Sequence, residues 1–194
     1  AYEEFKTFGV VTPKTYDPVS VLMLEFIEFD EMLQSVDPGV IVTELNDIYS
    51  AFDKIGEQFG CERIKTVGNS YVAVSGLPDP TPDHVKSIAN AAIRFVRYLE
   101  RRNASHPNQW KCHIGLATGS VVGSVVGIQK YVYDIFGPAV STAGKLLEFS
   151  EPMQISIHDS VAASLKDGFD LIETSDTVLS KGVKQKVWQL SDQK

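Results

Sequence analysis

An apolar run near the start of the chain constrains the fold more than any other feature. The run VSVLMLEFIEF, from Val19 to Phe29, is rich in β-branched and large apolar residues. This composition predicts a buried β-strand. A carboxylate inside the run, Glu25, is costly to bury unless it is paired, protonated or bound to a cation. Glu25 is therefore a candidate cation ligand, unless it lies at the exposed end of the strand or pairs with a neighbouring lysine.

Helices and strands alternate after this run. Asp37 and Pro38 supply a helix N-cap and a first-turn proline, and apolar residues continue at helical spacing, which predicts a helix over 38–58. Residues 62–75 predict a hairpin with Asn69 at its tip, and residues 84–102 a second amphipathic helix. Further strands are predicted at 110–117, 120–127, 132–136, 154–157, 169–173 and 186–190, and further helices at 139–149 and 158–166.

The order strand, helix, hairpin, helix, strand defines the fold class. It is the ferredoxin-like split βαβ pattern. We predict an α+β fold with a ferredoxin-like (βαββαβ) core and extensions over residues 19–190, because 194 residues are about one ordinary domain. Residues 1–18 are predicted to form an N-terminal arm or linker, and residues 191–194 a C-terminal tail.

Charge and composition exclude several classes of function. The net charge of -7 repels polyanions, which argues against a nucleic acid polymer or an anionic membrane as a partner. The uncharged stretch from Ile114 to Gln129 is shorter than the ~20 apolar residues that a membrane span needs. The two cysteines, Cys61 and Cys112, fit a reducing compartment, and we expect a cytoplasmic location, either for this chain alone or for the cytoplasmic domain of a larger or membrane-anchored protein.

Several segments resemble, in order and at matching spacing, the motifs of class III nucleotidyl cyclase catalytic domains. The segments are Met23–Phe29, Arg63–Tyr71, Gly76–Pro78 followed by His84, Ile114–Gly119, and Tyr133–Lys145. The resemblance runs from about Val19 to Leu190. It implies a head-to-tail dimer with the active site at the interface, in which one chain supplies metal ligands and its partner supplies base-reading and transition-state residues.

The resemblance implies an adenine-reading base site. Lys65 stands where adenylyl cyclases place a lysine that donates to an adenine ring nitrogen. Asp134 stands where they place the acceptor for the adenine amino group. Guanine presents the reverse pattern and would favour an acidic residue at position 65. ATP is therefore the implied nucleotide.

The implied metal site departs from the family pattern. Glu25 and Asn69 stand where the family has two aspartates that hold Mg²⁺ or Mn²⁺. Glutamate moves its carboxylate outward by one methylene, and asparagine removes one negative charge from a two-cation site. We therefore expect a weakened site for Mg²⁺ or Mn²⁺.

The implied catalytic residues are altered as well. Ser141 stands at the family's ribose-orienting asparagine, and Lys145 at the arginine that stabilises charge on the transferring phosphate. Lysine keeps the charge but lacks the planar fork that grips phosphate oxygens at two points. A family lysine that contacts the terminal phosphates corresponds to either Lys181 or Lys184.

Three functional hypotheses remain open from the sequence. The first is a catalytically weak or degenerate cyclase domain that acts as a regulatory or nucleotide-binding half, in a homodimer or in a heterodimer with a complementary cyclase domain. The second is a competent homodimeric adenylyl cyclase that converts ATP to cyclic AMP and pyrophosphate. The third is a non-enzymatic dimerisation module. Nucleotide binding separates the third from the others, and turnover separates the second from the first.

Overall fold

A mixed sheet forms the centre of the molecule. A computed structural model describes residues 12–126, 132–180 and 182–194, and within them the strand order is β2-β3-β1-β4-β6-β8-β7, with β5 paired to β4 alone. Every pairing is antiparallel except that of β4 with β6. The strands are β1 Lys14–Ile27, β2 Glu62–Val67, β3 Ser70–Ser75, β4 Lys111–Val126, β5 Val132–Phe136, β6 Ile155–His158, β7 Phe169–Ser180 and β8 Val183–Gln193.

Helices cover both faces of this sheet. The helices are α1 Phe29–Ser35, α2 Pro38–Gln58, α3 His84–Ser105, α4 Pro138–Leu146 with a 3₁₀ turn Leu147–Phe149, and α5 Asp159–Leu165. Buried side chains of α2, α3 and α5 share one core cluster, and those of α4 belong to a second cluster. The sheet therefore separates a large core under α2 and α3 from a smaller core under α4, which confirms the predicted α+β class.

The alternation of side chains along β1 decides which face carries Glu25. Leu22, Leu24 and Phe26 point into the core under α2 and α3. Val21 belongs to the core under α4. Because successive strand residues point to opposite faces, Glu25 lies on the face that α4 covers.

The elements with the clearest sequence patterns agree with the predictions. The helix over 38–58 is confirmed as α2, and the Asp37 carboxylate accepts a hydrogen bond from the Gly39 N–H at 2.8 Å, as an N-cap should. The helix predicted over 84–102 is confirmed as α3. The hairpin predicted over 62–75 is confirmed as β2 and β3.

The prediction of two strands at 110–117 and 120–127 is wrong, because one strand, β4, runs from Lys111 to Val126. Gly119 has a φ of 152°, which favours glycine, yet it still pairs with Val19 of β1. The chain therefore passes this glycine without a turn. Gly127, the last residue of the predicted second strand, lies outside the described residues.

Other boundaries differ from the predictions because strand pairing extends or ends the elements. β1 begins at Lys14, where it pairs with Gly123 of β4, rather than at Val19. It ends at Ile27, because Glu28 adopts a left-handed conformation with a φ of 61° and the short helix α1, which was not predicted, follows. The two C-terminal strands are longer than predicted because they pair with each other as a hairpin.

Gly115 allows α4 to pack directly on the sheet. A Cβ atom at this position would lie 2.3 Å from the carbonyl oxygen of Ala143 and 3.0 Å from the Cβ of Leu146, both on α4. The helix that carries Ser141 and Lys145 is thus held against β4 at the distance of backbone contact.

No helix within the described ranges 12–126, 132–180 and 182–194 has both the length and the apolar composition required to cross a bilayer.

Candidate functional site

Glu25 lies near the end of β1, between two strands. Its backbone is opposite Ser70 of β3 on one side and His113 of β4 on the other. The side chain is 44% exposed, and its Oε1 lies 3.6 Å from Nε2 of His113. The carboxylate is therefore at the rim of the sheet, partly hydrated, and not in the apolar core.

Asn69 lies at the tip of the β2–β3 hairpin, where it contacts β1 through two hydrogen bonds. Its side-chain Nδ2 donates to the carbonyl oxygen of Phe26 at 2.8 Å. In the other direction, the N–H of Phe26 donates to the carbonyl oxygen of Asn69 at 3.0 Å. The structure therefore brings Asn69 beside Phe26, the residue that follows Glu25.

A tyrosine of α2 also binds the hairpin tip, through a hydrogen bond. Tyr49 Oη donates to the carbonyl oxygen of Gly68 at 2.9 Å. Burial raises the pKa of Tyr49 well above its usual value, so the hydroxyl keeps its proton and remains a donor. Gly68 takes a φ of 55°, which a tight turn at this position requires.

The sequence analysis did not identify His113 as part of this region. Its Nδ1 lies 3.3 Å from the carbonyl oxygen of Ser150. Its Nε2 is buried, faces Glu25, and has no hydrogen-bond partner within the described residues. A signal was available, because His113 directly precedes the Ile114–Gly115 pair, where the family pattern R-I-G has an arginine.

The residues at this end of the sheet do not fit a two-cation site. Glu25 is the one carboxylate of the predicted pair, and the Asn69 amide, whose N–H donates to the Phe26 carbonyl, has only a neutral oxygen left to offer. No group of three or more His, Cys, Asp or Glu side chains in the described ranges converges to hold a metal ion. Hard divalent cations need several oxygen ligands, which this arrangement does not supply.

Lys65 and Asp134 meet directly, although 69 residues separate them in the sequence. Lys65 lies on β2 and Asp134 on β5, and Nζ donates to Oδ2 at 2.9 Å, with side-chain exposures of 32% and 16%. The other carboxylate oxygen of Asp134 accepts from the N–H of Ile135 at 2.8 Å. An ammonium donor and a carboxylate acceptor are thus held side by side at a partly exposed position.

The remaining predicted site residues that the structure describes lie on α4 and β8. Ser141 and Lys145 are both exposed on α4, which packs on β1 and β4. Lys184 is exposed on β8, where it pairs with Leu179 of β7. Lys181 lies outside the described residues.

A groove lined by basic residues lies away from this region. It has a volume of about 580 Å³, and its lining includes Arg94, Tyr98, Arg101 and His106. It is formed by α2 and α3, which pack on the face opposite Glu25. The residues that the motifs single out do not line it.

Comparison with known families agrees with the fold. The model of the adenylate and guanylate cyclase catalytic domain matches residues 11–192. The chain therefore belongs to this family, the class III nucleotidyl cyclases.

Relatives and solved structures lie on both sides of the adenylate and guanylate division. An adenylate cyclase of Mycobacterium tuberculosis is 38% identical over 180 residues, which are 92% of this chain and 40% of that protein. A receptor-type guanylate cyclase of Caenorhabditis elegans is 30% identical over 198 residues, 98% of this chain and 18% of that protein. The chain thus spans less than half the length of these relatives.

Among solved structures, the guanylate cyclase domain of a Catenaria anguillulae protein, in complex with GTP, has a TM-score of 0.85 and 24% identity, covering 93% of this chain and all of that one (100%). An adenylyl cyclase of P. aeruginosa has a TM-score of 0.83 and 18% identity, covering 94% and 97% of the two chains. At these identities the likeness establishes the shared fold.

Proposed function

We propose that this domain binds ATP through an adenine-reading base site and that its own catalytic power is weak, so that it acts as a nucleotide-binding or regulatory half in cyclic-nucleotide signalling. The observation that carries the proposal is the contact of Lys65 with Asp134, 2.9 Å apart on two different strands. The name of the mycobacterial relative, an adenylate cyclase, agrees with ATP as the nucleotide.

The pair has the hydrogen-bonding chemistry that adenine requires. A lysine ammonium has donors only, and an ionised aspartate has acceptors only. Adenine offers an acceptor at its ring nitrogen and donors at its amino group, so Lys65 and Asp134 satisfy both. Guanine offers the opposite arrangement at the corresponding atoms and would leave both side chains opposed by like groups.

Adenine presents its ring nitrogen and its amino group side by side on one edge, so Lys65 and Asp134 can contact both groups while their ion pair is retained. Partly exposed ion pairs contribute only about 0–1 kcal/mol to stability. Each hydrogen bond from a charged group to the base contributes about 1.5–3 kcal/mol. The two added hydrogen bonds therefore favour the base, and the ion pair holds both groups in place before it arrives.

Weak catalysis is proposed from the residues near Glu25 and on α4. Cyclisation requires the ribose 3′-hydroxyl to attack the α-phosphorus, with loss of a proton from that hydroxyl and departure of pyrophosphate. Glu25 and Asn69 supply one carboxylate where the family has two. Ser141 and Lys145 supply a shorter hydroxyl and a point charge in place of an amide and a planar fork.

A second chain completes the proposed site. Ser141, Lys145 and a lysine at 181 or 184 would contact nucleotide bound with the partner's metal ligands, either in a homodimer or with a complementary cyclase domain that carries both aspartates. We also propose a cytoplasmic location, because Cys61 and Cys112 are both free and buried, as in proteins kept under reducing conditions.

The test measures binding and turnover on the same preparation. Isothermal titration with ATP and with GTP reports base choice, and formation of cyclic AMP and cyclic GMP in Mg²⁺ or in Mn²⁺ reports catalysis. We expect ATP to bind more tightly than GTP and turnover to be slow in both metals. Equal affinities would contradict the base site, no binding would favour the dimerisation module, and rapid turnover in Mg²⁺ would favour the competent cyclase.

A further inference from the structure

Two hydrogen bonds join Asn69 at the hairpin tip to the backbone of Phe26 in β1, and the Asn69 side chain makes one of them. The Asn69 amide donates to the Phe26 carbonyl at 2.8 Å, and the backbone of Asn69 accepts from the Phe26 N–H at 3.0 Å. The side chain thus continues the β1–β3 ladder, whose last pair is Glu25 with Ser70, by one further hydrogen bond.

The chemistry of this contact requires an amide nitrogen. Phe26 presents a carbonyl oxygen, which only accepts, so the group facing it at 2.8 Å must be a donor. An aspartate at position 69 would set a carboxylate oxygen against that carbonyl. Two acceptors at such a distance repel each other unless a proton or a cation lies between them.

Both partners of the contact are fixed by groups that do not depend on a cation. Tyr49 Oη donates to the carbonyl oxygen of Gly68 at the hairpin tip. The ring of Phe26 packs edge-on against Trp110, with 5.0 Å between ring centroids, and it stacks on Phe52. The Asn69 side chain therefore connects two positions that the core already holds.

We propose that the Asn69 amide takes the place of a bound cation as the bridge between β1 and the hairpin tip. The N–H group supplies the positive end that a metal ion would supply, and it does so without a ligand. This end of the domain is therefore complete in the absence of divalent cations, and the inference does not depend on nucleotide binding.

The experiment compares thermal unfolding of the whole chain in excess EDTA and in excess Mg²⁺ or Mn²⁺, without nucleotide. For the parent chain, we expect the same Tm in all three conditions. Asn69→Asp should lower the Tm in EDTA by about 2–8 °C, since a buried acceptor then lacks its donor, and Mn²⁺ or Mg²⁺ should recover most of that loss.

Two further variants separate the bridge from general effects. Asn69→Ala removes the donor without adding charge, and its Tm should fall in all three conditions with no recovery by cations. Asn46→Asp, on the exposed surface of α2, makes the same chemical change elsewhere and should show no cation dependence. The proposal is overturned if the parent gains several degrees from a cation, if Asn69→Ala is as stable as the parent, or if Asn69→Asp responds to cations no more than Asn46→Asp.

Discussion

The base-reading region and the region around Glu25 belong to one sheet but differ in how far they match the family pattern. Lys65 and Asp134, the proposed adenine-reading pair, contact each other directly. Glu25 and Asn69, the proposed metal-ligand pair, differ from the two aspartates that the resemblance implies, and the Asn69 side chain is hydrogen-bonded to the backbone of Phe26. Under the proposed function, the two regions should therefore differ in activity, with base recognition kept and phosphoryl chemistry weakened.

The two regions should tolerate substitution to different degrees. Base recognition needs a donor and an acceptor on side chains that can adjust when the base arrives. Cation binding depends on the number of negative ligands and on positions within about 0.5 Å. A change of one methylene or one charge therefore affects the region around Glu25 far more than it would affect the base-reading pair.

The largest expected effect comes from restoring the family residues at the metal positions. Glu25→Asp combined with Asn69→Asp should raise cation affinity and any cyclase activity by at least about 10- to 100-fold, since loss of even an outer partner of a metal ligand changes affinity by that factor. The measurement is cyclic AMP formation across a Mg²⁺ titration. Glu25→Asp alone, which still has one carboxylate, is the control, and a double variant that binds Mg²⁺-ATP no better than the parent refutes the metal assignment.

The next largest effect is expected from a substitution in the proposed base-reading pair. Lys65→Glu places an acceptor opposite the adenine ring nitrogen and beside Asp134, and a mismatch of about 1–3 kcal/mol should lower ATP affinity by about 5- to 100-fold and move preference away from adenine. Titration with ATP and GTP measures this shift. Lys54→Glu makes the same charge change on the exposed side of α2, and equal ATP affinity for both variants would mean that Lys65 does not touch the base.

A surface substitution tests whether the two regions are completed across two chains. Val126 ends β4, is 40% exposed, and pairs with Val132 of β5, the strand that carries Asp134. In a two-fold interface one substitution acts twice, so Val126→Asp should weaken self-association by about 10-fold, as measured by sedimentation. Val42→Asp, on the exposed face of α2, is the matched control. A parent chain that sediments as a monomer at every concentration would favour a heterologous partner.

The smallest effect concerns a histidine that belongs to neither region. His84 is buried, its Nδ1 lies 2.7 Å from Ser20 Oγ, and burial lowers its pKa below 6.5. The unfolded chain then binds the proton more readily, so this contribution to stability is present above pH 6.5 and is lost as the pH falls towards the lowered folded-state pKa. The free energy of unfolding should fall by up to about 1.4 kcal/mol per pH unit from this group.

Urea unfolding over that acidic range measures the contribution of His84. His84→Gln should flatten the dependence on pH, whereas the same change at the exposed His106 should leave it as in the parent. An identical slope for His84→Gln and the parent would assign the acid sensitivity to other groups. ATP affinity should be unchanged in His84→Gln, which separates the stability of the scaffold from both regions of the site.

Local signals account for most of the fold that the sequence predicted. Asp37 and Pro38 mark the start of α2 because an N-cap and a first-turn proline act within a few residues. The turn at Gly68 and Asn69 defines the β2–β3 hairpin for the same reason. The prediction of two strands on either side of Gly119 was wrong because a glycine within a strand has the same local signal as a glycine in a turn. Only the pairing of Gly119 with β1 distinguishes the two cases.

The sequence did not predict the contacts between residues that are far apart in the chain. The Asn69–Phe26 bond spans 43 residues and depends on how β1 and β3 align. The approach of His113 to Glu25 depends on the register of β1 against β4. Local propensity carries no information about strand register. The motifs therefore indicated candidate site residues, but the partners that these side chains contact could be seen only in the structure.

The contact of Gly115 with Ala143 leaves no clearance between β4 and the helix that bears Ser141 and Lys145. A single methyl group at position 115, only 2.3 Å from a carbonyl oxygen, would lift that helix away from the sheet. The residues that we propose to touch nucleotide would then move although none of them had changed. A sequence survey of cyclase domains that scores only substrate-contacting residues would rate such a variant as intact, so residue 115 belongs among the positions by which competence in this family is judged.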